Sequence, residues 1–227
     1  MNDQLNIISC LQGSAEWFES RIGMLTASRI GDAIRKSKRE TNSELKARYD
    51  LKVELAVERI TGKPAEHVVT SWMERGRELE PLARAAYELR TGQEVTQVGF
   101  VLHPTIEWAG CSPDGLVGDG LVEFKCPKPS THANYLLGEV VPELYVPQMM
   151  WQMACCPGYE WCDFVSYCPD FPEPLDLFVC RLPYSPETIS AMEFEAQAFL
   201  REVDDLVVRL KGGLQGALEE SVKRARA

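Results

Sequence analysis

The chain lacks any apolar run of about 18 residues, so nothing in it reads as a membrane-spanning helix. Its first residues, MNDQLNIISC, lack the basic segment and long apolar stretch of a secretory leader, and the expectation is a cytoplasmic protein. No fixed-period repeat or low-complexity tract is present, which excludes a solenoid. Histidine is scarce: His67, His103 and His132 are the only three, and they share no metal-ligand spacing. The eight cysteines lack paired C-x2-C knuckles. Cys155, Cys156, Cys162 and Cys168 follow the spacing C-C-x5-C-x5-C, which fits buried reduced thiols better than a zinc or iron–sulfur cage. Positive charge is also short, 24 Lys and Arg against 34 Asp and Glu, and the net charge of −10 argues against a generic basic nucleic-acid binder.

What is present suits one globular domain. A length of 227 residues with 45% hydrophobic and 26% charged side chains permits a sizeable core, and the domain is expected over residues 1–212, with a tail at 213–227 that is frayed or a subunit contact. Positive charge is locally dense from Arg29 to Arg48, through Arg35, Lys36, Lys38, Arg39 and Lys46; the run reads either as the wall of a basic groove or as a solvated loop. Leu45, Tyr49, Val53, Ala56, Val57 and Ile60 predict an amphipathic helix over 43–60. Trp72, Leu79, Leu82, Ala83, Ala86 and Tyr87 predict another over 71–90, with a kink or restart at Pro81 and Glu80 at the border of its apolar stripe. Strands are expected at 94–102, 106–112, 119–126, 160–168 and 175–182, with a short helix at 145–154. The last helix starts with Ser185 as N-cap and Pro186 at its first position, and Gly212-Gly213 is expected to end it.

The stretch CSPDGLVGDGLVEFKC, residues 111–126, carries the chemistry. Strand alternation places Glu123 and Lys125 on one face and Phe124 on the other, and Asp114, across a glycine-rich turn, can face the first two. Two converging carboxylates repel unless a cation lies between them, and an oxygen-only donor set suits Mg²⁺ or Mn²⁺ rather than zinc. A lysine beside such a metal can hold a water and offset charge on a phosphate, which is the chemistry of phosphodiester hydrolysis. Taken alone, a Glu and Lys pair on a hairpin is common. Here Ser112-Pro113-Asp114, the apolar Leu121, Val122 and Phe124, and the upstream Glu80 act together.

Pro113-Asp114 followed by Glu123-Phe124-Lys125 matches the PD...(D/E)xK pattern of restriction-endonuclease-like nucleases. More specifically, the chain resembles the bacteriophage lambda exonuclease family. The resemblance runs through Trp17...Arg21-x-Gly23-x-x-Thr26-Ala27-Ser28, Gly76-x-x-x-Glu80, Cys111-Ser112-Pro113-Asp114-Gly115, Glu123-x-Lys125-Cys126-Pro127 and Tyr145-x-x-Gln148 to about Gln152. It implies an α/β fold with a restriction-endonuclease-like mixed central sheet flanked by helices. The implied activity is Mg²⁺-dependent 5′-to-3′ digestion of one strand of duplex DNA to mononucleotides in recombination, by a homotrimer of phage or prophage origin that works with a single-strand annealing protein.

Carried over residue by residue, the resemblance implies that Asp114, Glu123 and the carbonyl of Phe124 hold one Mg²⁺, and that Asp114 with Glu80 holds a second. Lys125 and Gln148 would position the water, and Arg21, Ser28 and Ser112 would bind the 5′-phosphate. Where the family can supply a further phosphate-binding arginine this chain has Lys128-Pro129-Ser130-Thr131-His132, leaving Lys128 or His132 as substitutes. Trp17 and Trp72 read as packing residues rather than base-stacking platforms, Ser28 reads alternatively as a helix N-cap, and Met73 as either a wedge at the duplex end or core filling. Alternatives are another PD...(D/E)xK endonuclease or repair nuclease, and a catalytically silent DNA-end-binding module.

Overall fold

A computed structural model describes residues 5–34, 46–65 and 70–225, the side chains of Met73 and of 214–225 excepted. Arg35, Lys36, Lys38 and Arg39 of the basic run, and the wedge expected at Met73, therefore lie outside the described residues.

Two four-stranded mixed sheets carry the fold, flanked by helices as expected. The first has the order β1 (Ile7–Ile8), β3 (Phe100–Leu102), β4 (Ala109–Cys111), β2 (Leu25–Thr26). The second runs β5 (Gly115–Val117), β6 (Gly120–Lys125), β7 (Trp161–Tyr167), β8 (Leu177–Pro183). In it β6 lies parallel to β7, and β5 and β8 flank them antiparallel. The strand expected at 94–102 is divided between the sheets: only Phe100–Leu102 joins the first, while Thr96 makes a single bridge to Leu116 of β5. The interval 115–118, expected as part of the turn, is itself largely strand β5.

Five of the helices build the two layers that position the site. α4 (Ser71–Thr91) covers one face of the second sheet, where Ala83 and Tyr87 meet Val117, Val122, Phe124 and Val165 in one buried cluster. α6 (Val146–Cys155), α2 (Ala27–Ala33), α3 (Lys46–Thr61) and α7 (Pro186–Ala225) form the other, larger cluster with Leu121 and Phe164. α1 (Ala15–Glu19) and α5 (Pro129–Gly138) are short connectors. Because β6 is covered on both faces, it is buried from Gly120 to Phe124 and reads as a nearly continuous apolar run broken only by Glu123.

Several expectations need correction. α4 continues through Pro81 without a restart; the proline ring is exposed, so the missing N–H costs one helical bond and no core packing. α7 does not end at Gly212-Gly213 but reaches Ala225, since glycine weakens a helix without forbidding it. The buried face of α3 is Leu51, Leu55, Ala56 and Glu58; of the expected stripe Ala56 is buried, Val53 and Ile60 are half-buried, and Tyr49 and Val57 are exposed. Ser185 caps α7 as expected, its hydroxyl accepting from Thr188 N–H at 3.3 Å. All eight cysteines are free thiols, and Cys111, Cys155, Cys156, Cys162 and Cys168 are buried. The described members of the basic run are ion-paired: Arg29 with Glu54 at 2.9 Å, Lys46 with Asp50, and Arg48 with Glu202 at 2.6 Å. Among the described residues no helix is long and apolar enough to cross a membrane.

The second sheet is locked at the start of β6. Buried Asp163 on β7 accepts from Tyr87 Oη at 2.9 Å and from Arg181 at 2.8 and 2.9 Å, and Arg181 stacks 3.4 Å above the Trp161 ring. Gly120 lies against that ring, and a Cβ there would stand 2.1 Å from Trp161 Cδ2. Gly120→Ala should therefore destabilise by about 1–3 kcal/mol through overpacking, read as a lower denaturation midpoint with secondary structure retained.

Candidate active site

The site begins at an interrupted strand edge. β5 pairs with β6 only as far as Gly115 opposite Val122, so beyond Val122 that edge of β6 has no partner strand. Asp114, the residue before β5, turns its carboxylate onto the edge: Oδ2 accepts the Phe124 N–H at 2.7 Å. A strand residue directs its N–H and C=O to the same side, so the Phe124 carbonyl shares this edge with Asp114. The Phe124 ring packs on the α4 face, in an edge-to-face contact with Tyr87 at 5.9 Å.

Glu123 and Lys125 point to the opposite face, as alternation requires. Glu123 is buried at 1% exposure, a costly place for a carboxylate unless it is fully bonded. Its Oε1 takes the Lys125 ammonium and Gln148 Nε2 (2.6 Å), and its Oε2 takes Gln152 Nε2 (2.6 Å). Gln148 and Gln152 stand one turn apart on α6, so a single helix face supplies both amides. Gln152 is a site residue that the sequence reading missed, although its i+4 spacing from Gln148 could have revealed it. Its own carbonyl is 3.7 Å from the Cys162 thiol.

Glu80, from α4, completes the acidic side. Burial raises its pKa, the Glu123 charge raises it further, and Arg84 and Lys125 oppose the shift. Asp114 is held well above the usual carboxylate range, first by burial and then by Glu123 and Glu80, against Lys125 and the Phe124 N–H. Burial alone would lower the Lys125 pKa, but Glu123 and Asp114 keep it above its ordinary value. Tyr145 places its ring 5.1 Å from the ammonium. Three carboxylates thus crowd around one lysine, an excess of negative charge that fits a bound cation. Among the described residues no three His, Cys, Asp or Glu side chains are grouped so that they could hold a metal ion together. Two side-chain carboxylates, a carbonyl and retained waters are the donor set that a Mg²⁺ site uses.

A second cluster lies where α1 meets the end of β4. Ser112 Oγ accepts from Trp17 Nε1 at 2.9 Å and Arg21 Nη1 at 3.1 Å, which occupies its lone pairs and leaves its O–H free to donate outward. The Arg21 guanidinium packs 4.1 Å from the Trp17 ring and has no carboxylate in ion-pair distance among the described residues. Burial lowers its pKa to about 10, opposed by Cys111 and Glu58, and it stays charged at neutral pH. The turn carrying Arg21 is fixed from α3: Gly23 N–H donates to Glu58 at 2.7 Å and Gly23 C=O accepts from Arg59 Nε at 3.0 Å. Gly23 has φ of +71°, and a Cβ there would meet Arg59 Cγ at 2.5 Å, so both the conformation and the space call for glycine. Glu58 was also missed, because a charge on a helix ordinarily reads as solvent-facing.

The remaining expected residues sort clearly. Ser28 is exposed within α2, 3.2 Å from Thr26 Oγ1, and no hydrogen bond joins it to Arg21 or Ser112; the N-cap is Thr26, not Ser28. His132 is fully buried, bonded to Ser166 Oγ (2.7 Å) and the Leu175 carbonyl (2.8 Å), so it cannot reach a phosphate. Lys128 is exposed and lines a groove of about 650 Å³ together with Trp72, Arg77, Glu80, Lys125 and Tyr145. Trp72 is 57% exposed there rather than packed into the core, and Trp17 braces Arg21 instead of filling the interior.

With this geometry in hand, a model of the YqaJ-like viral recombinase domain matches residues 16–160, a span that holds every residue of both clusters. Two crystal structures of LHK-Exo, the alkaline exonuclease of Laribacter hongkongensis, are 40% identical and cover 90% of this chain and 100% of their own. Their TM-scores are 0.82 for the complex with dAMP and 0.81 for the other. A phage-related exonuclease from Haemophilus somnus 129PT, 13% identical, covers 82% of this chain and 96% of its own at a TM-score of 0.64, which shows a shared fold. No curated protein sequence matches. Since the domain model spans more than half of the chain, the chain belongs to the YqaJ-like viral recombinase family, the lambda-exonuclease family of recombination nucleases.

Proposed function

We propose that this protein is a Mg²⁺-dependent exonuclease that digests one strand of duplex DNA from its 5′ end to mononucleotides in recombination. It would act as a homotrimer beside a single-strand annealing protein. The observation that carries the chemistry is the Asp114 carboxylate on the Phe124 N–H, which sets it beside the Glu123 and Lys125 pair at the unpaired edge of β6. Support for the polarity comes from Arg21 and Ser112, a charged and hydroxyl donor set with no ion-paired carboxylate among the described residues, suited to a terminal phosphate dianion. The dAMP bound to LHK-Exo supports a mononucleotide product.

In this reading Asp114, Glu123 and the Phe124 carbonyl would hold one Mg²⁺, and Asp114 with Glu80 would hold a second, with Mn²⁺ a possible replacement for either. When bound, the ions supply Lewis-acid polarisation of the phosphodiester and of the attacking water. Lys125, released in part from Glu123, orients the water and offsets the negative charge that builds on the phosphate. Gln148 fixes Glu123 from one side and directs its amide at the same space, while Gln152 holds the buried oxygen. Arg21 and Ser112, with Ser28 as an exposed hydroxyl at the start of α2, register the strand so that the first internucleotide bond meets the carboxylates.

Strand-resolved digestion of linear duplexes with 5′-phosphate or 5′-hydroxyl ends tests the assignment. The phosphorylated strand should be degraded first. Arg21→Ala should cut that preference by about tenfold to a hundredfold, the worth of one or two charge-assisted hydrogen bonds. Closed circular DNA cut as fast as a phosphorylated end would instead indicate an endonuclease.

Lys125→Ala should lower the turnover rate by about 10²- to 10⁴-fold while the fold persists, because Gln148 and Gln152 still satisfy Glu123. Turnover equal to wild type would remove Lys125 from the mechanism, and a wild type inactive on every duplex with Mg²⁺ would point to a silent binding module.

The raised pKa values of Asp114 and Glu80 fix a pH dependence. In the metal-free protein these carboxyls keep protons that the unfolded chain has lost, so stability falls as pH rises from the ordinary carboxylate range through the raised values. Mg²⁺ competes with those protons. The increase in melting temperature on adding Mg²⁺ should therefore grow with pH across that window, as should activity. A Mg²⁺ effect that is flat with pH in a thermal-shift series would contradict the assigned ligands.

A further inference from the structure

Trp72, Gly76 and Glu80 stand at i, i+4 and i+8 on α4 and form one row along the helix, with about 12 Å of rise from the first to the last. All three line the groove together with Lys125 and Tyr145, and Arg77 and Lys128 line it too. A tryptophan left 57% exposed in such a groove offers a large flat face that packs no core. Behind it, Arg75 lies 5.9 Å from the indole and is itself tied to Asp170 at 3.0 Å and to the Pro127 carbonyl at 3.3 Å. The indole thus has a fixed cationic neighbour at the surface.

Gly76 supplies an independent observation. Glycine inside a helix is less favourable than alanine, and it is retained where another backbone or a ligand must approach closely. Among the described residues nothing makes that demand, because a Cβ at Gly76 would meet none of their atoms within 4 Å. Its effect is a gap in the row of side chains between the indole and the Glu80 carboxylate, open to the groove.

We propose that Trp72 is a stacking platform for a nucleobase of the strand being digested. The sugar-phosphate backbone crosses the helix at Gly76 and enters the carboxylate site, with Arg77 and Lys128 at its phosphates. Stacking on an aromatic face tolerates any base, and a cation-lined path follows the backbone, so the subsite takes single-stranded DNA without sequence preference. The identity of the ligand rests on the nuclease reading, whereas the stacking can be measured without hydrolysis.

The test uses the full chain in EDTA with a 5′-phosphorylated oligonucleotide carrying 2-aminopurine near its 5′ end. Wild type should quench the fluorophore on binding. Trp72→Leu should abolish the quench and raise Kd by about 5- to 150-fold, the range for loss of one stacked base, and Trp72→Phe should retain part of both. Gly76→Ala should melt no lower than wild type, since alanine favours the helix and finds open space, yet bind more weakly. A quench and Kd in Trp72→Leu equal to wild type, Gly76→Ala binding equal to wild type, or no quench in wild type would each overturn the subsite. The nuclease reading is tested separately with Mg²⁺ and unmodified duplex. Hydrolysis with Trp72-independent binding removes only the platform, and Trp72-dependent quenching without hydrolysis removes only the nuclease.

Discussion

The unpaired edge of β6 beyond Val122 is the constraint on which the site depends. A buried strand must satisfy its N–H groups, and when β5 stops at Gly115 the Phe124 N–H is left for a side chain to take. Asp114 takes it because it is the residue immediately before β5, delivered to the edge by the same hairpin that ends the pairing. The bond therefore both repairs the sheet and fixes the carboxylate. The parallel pairing of β6 with β7 on the other side keeps Glu123 in register opposite Phe164, under α6. Position along one strand then sets where Asp114, Glu123, Phe124 and Lys125 meet.

That arrangement opposes stability in a specific way. Burial and mutual repulsion push Asp114 and Glu80 toward their protonated forms, and the one buried lysine offsets only part of the excess. Glu123 is bonded on both oxygens, by the two glutamine amides and the lysine. The Arg21 cluster shows the opposite sign of the same device: a charged guanidinium, half-buried, held by aromatic faces and a hydroxyl rather than by a carboxylate. One cluster gathers more carboxyls than its lysine can pair, and the other sets a guanidinium against aromatic faces and a hydroxyl. Such sites are held in place by the surrounding core, here α3 through Glu58 and Arg59 and α6 through Gln148 and Gln152.

Much of this was legible in the chain. The strands at 119–126, 160–168 and 175–182 appear within two residues at each end, because their apolar runs are long and their pairing continuous. The short strands of the first sheet, two or three residues each, carry too few side chains to show a period, and the segment near Thr96 is shared between sheets by a crossing that no local pattern encodes. Trp72 and His132 were misplaced for complementary reasons. An aromatic on an apolar stripe reads as core and a histidine among polar residues reads as surface, yet the turn of α4 exposes the first and α5 buries the second.

The sequence by itself determined how the strand presents its charges: alternation fixes Glu123 and Lys125 on one face of a strand and Phe124 on the other, since that depends only on the two-residue period. It also marked Asp114 and Arg21 through their motifs. The tertiary structure alone decided that Asp114 caps the β6 edge, that Gln152 and Glu58 are buried anchors, and that Trp72 looks into the groove. Each of these depends on which element packs against which, and a buried polar group takes its partner from a distant part of the chain that no local spacing specifies.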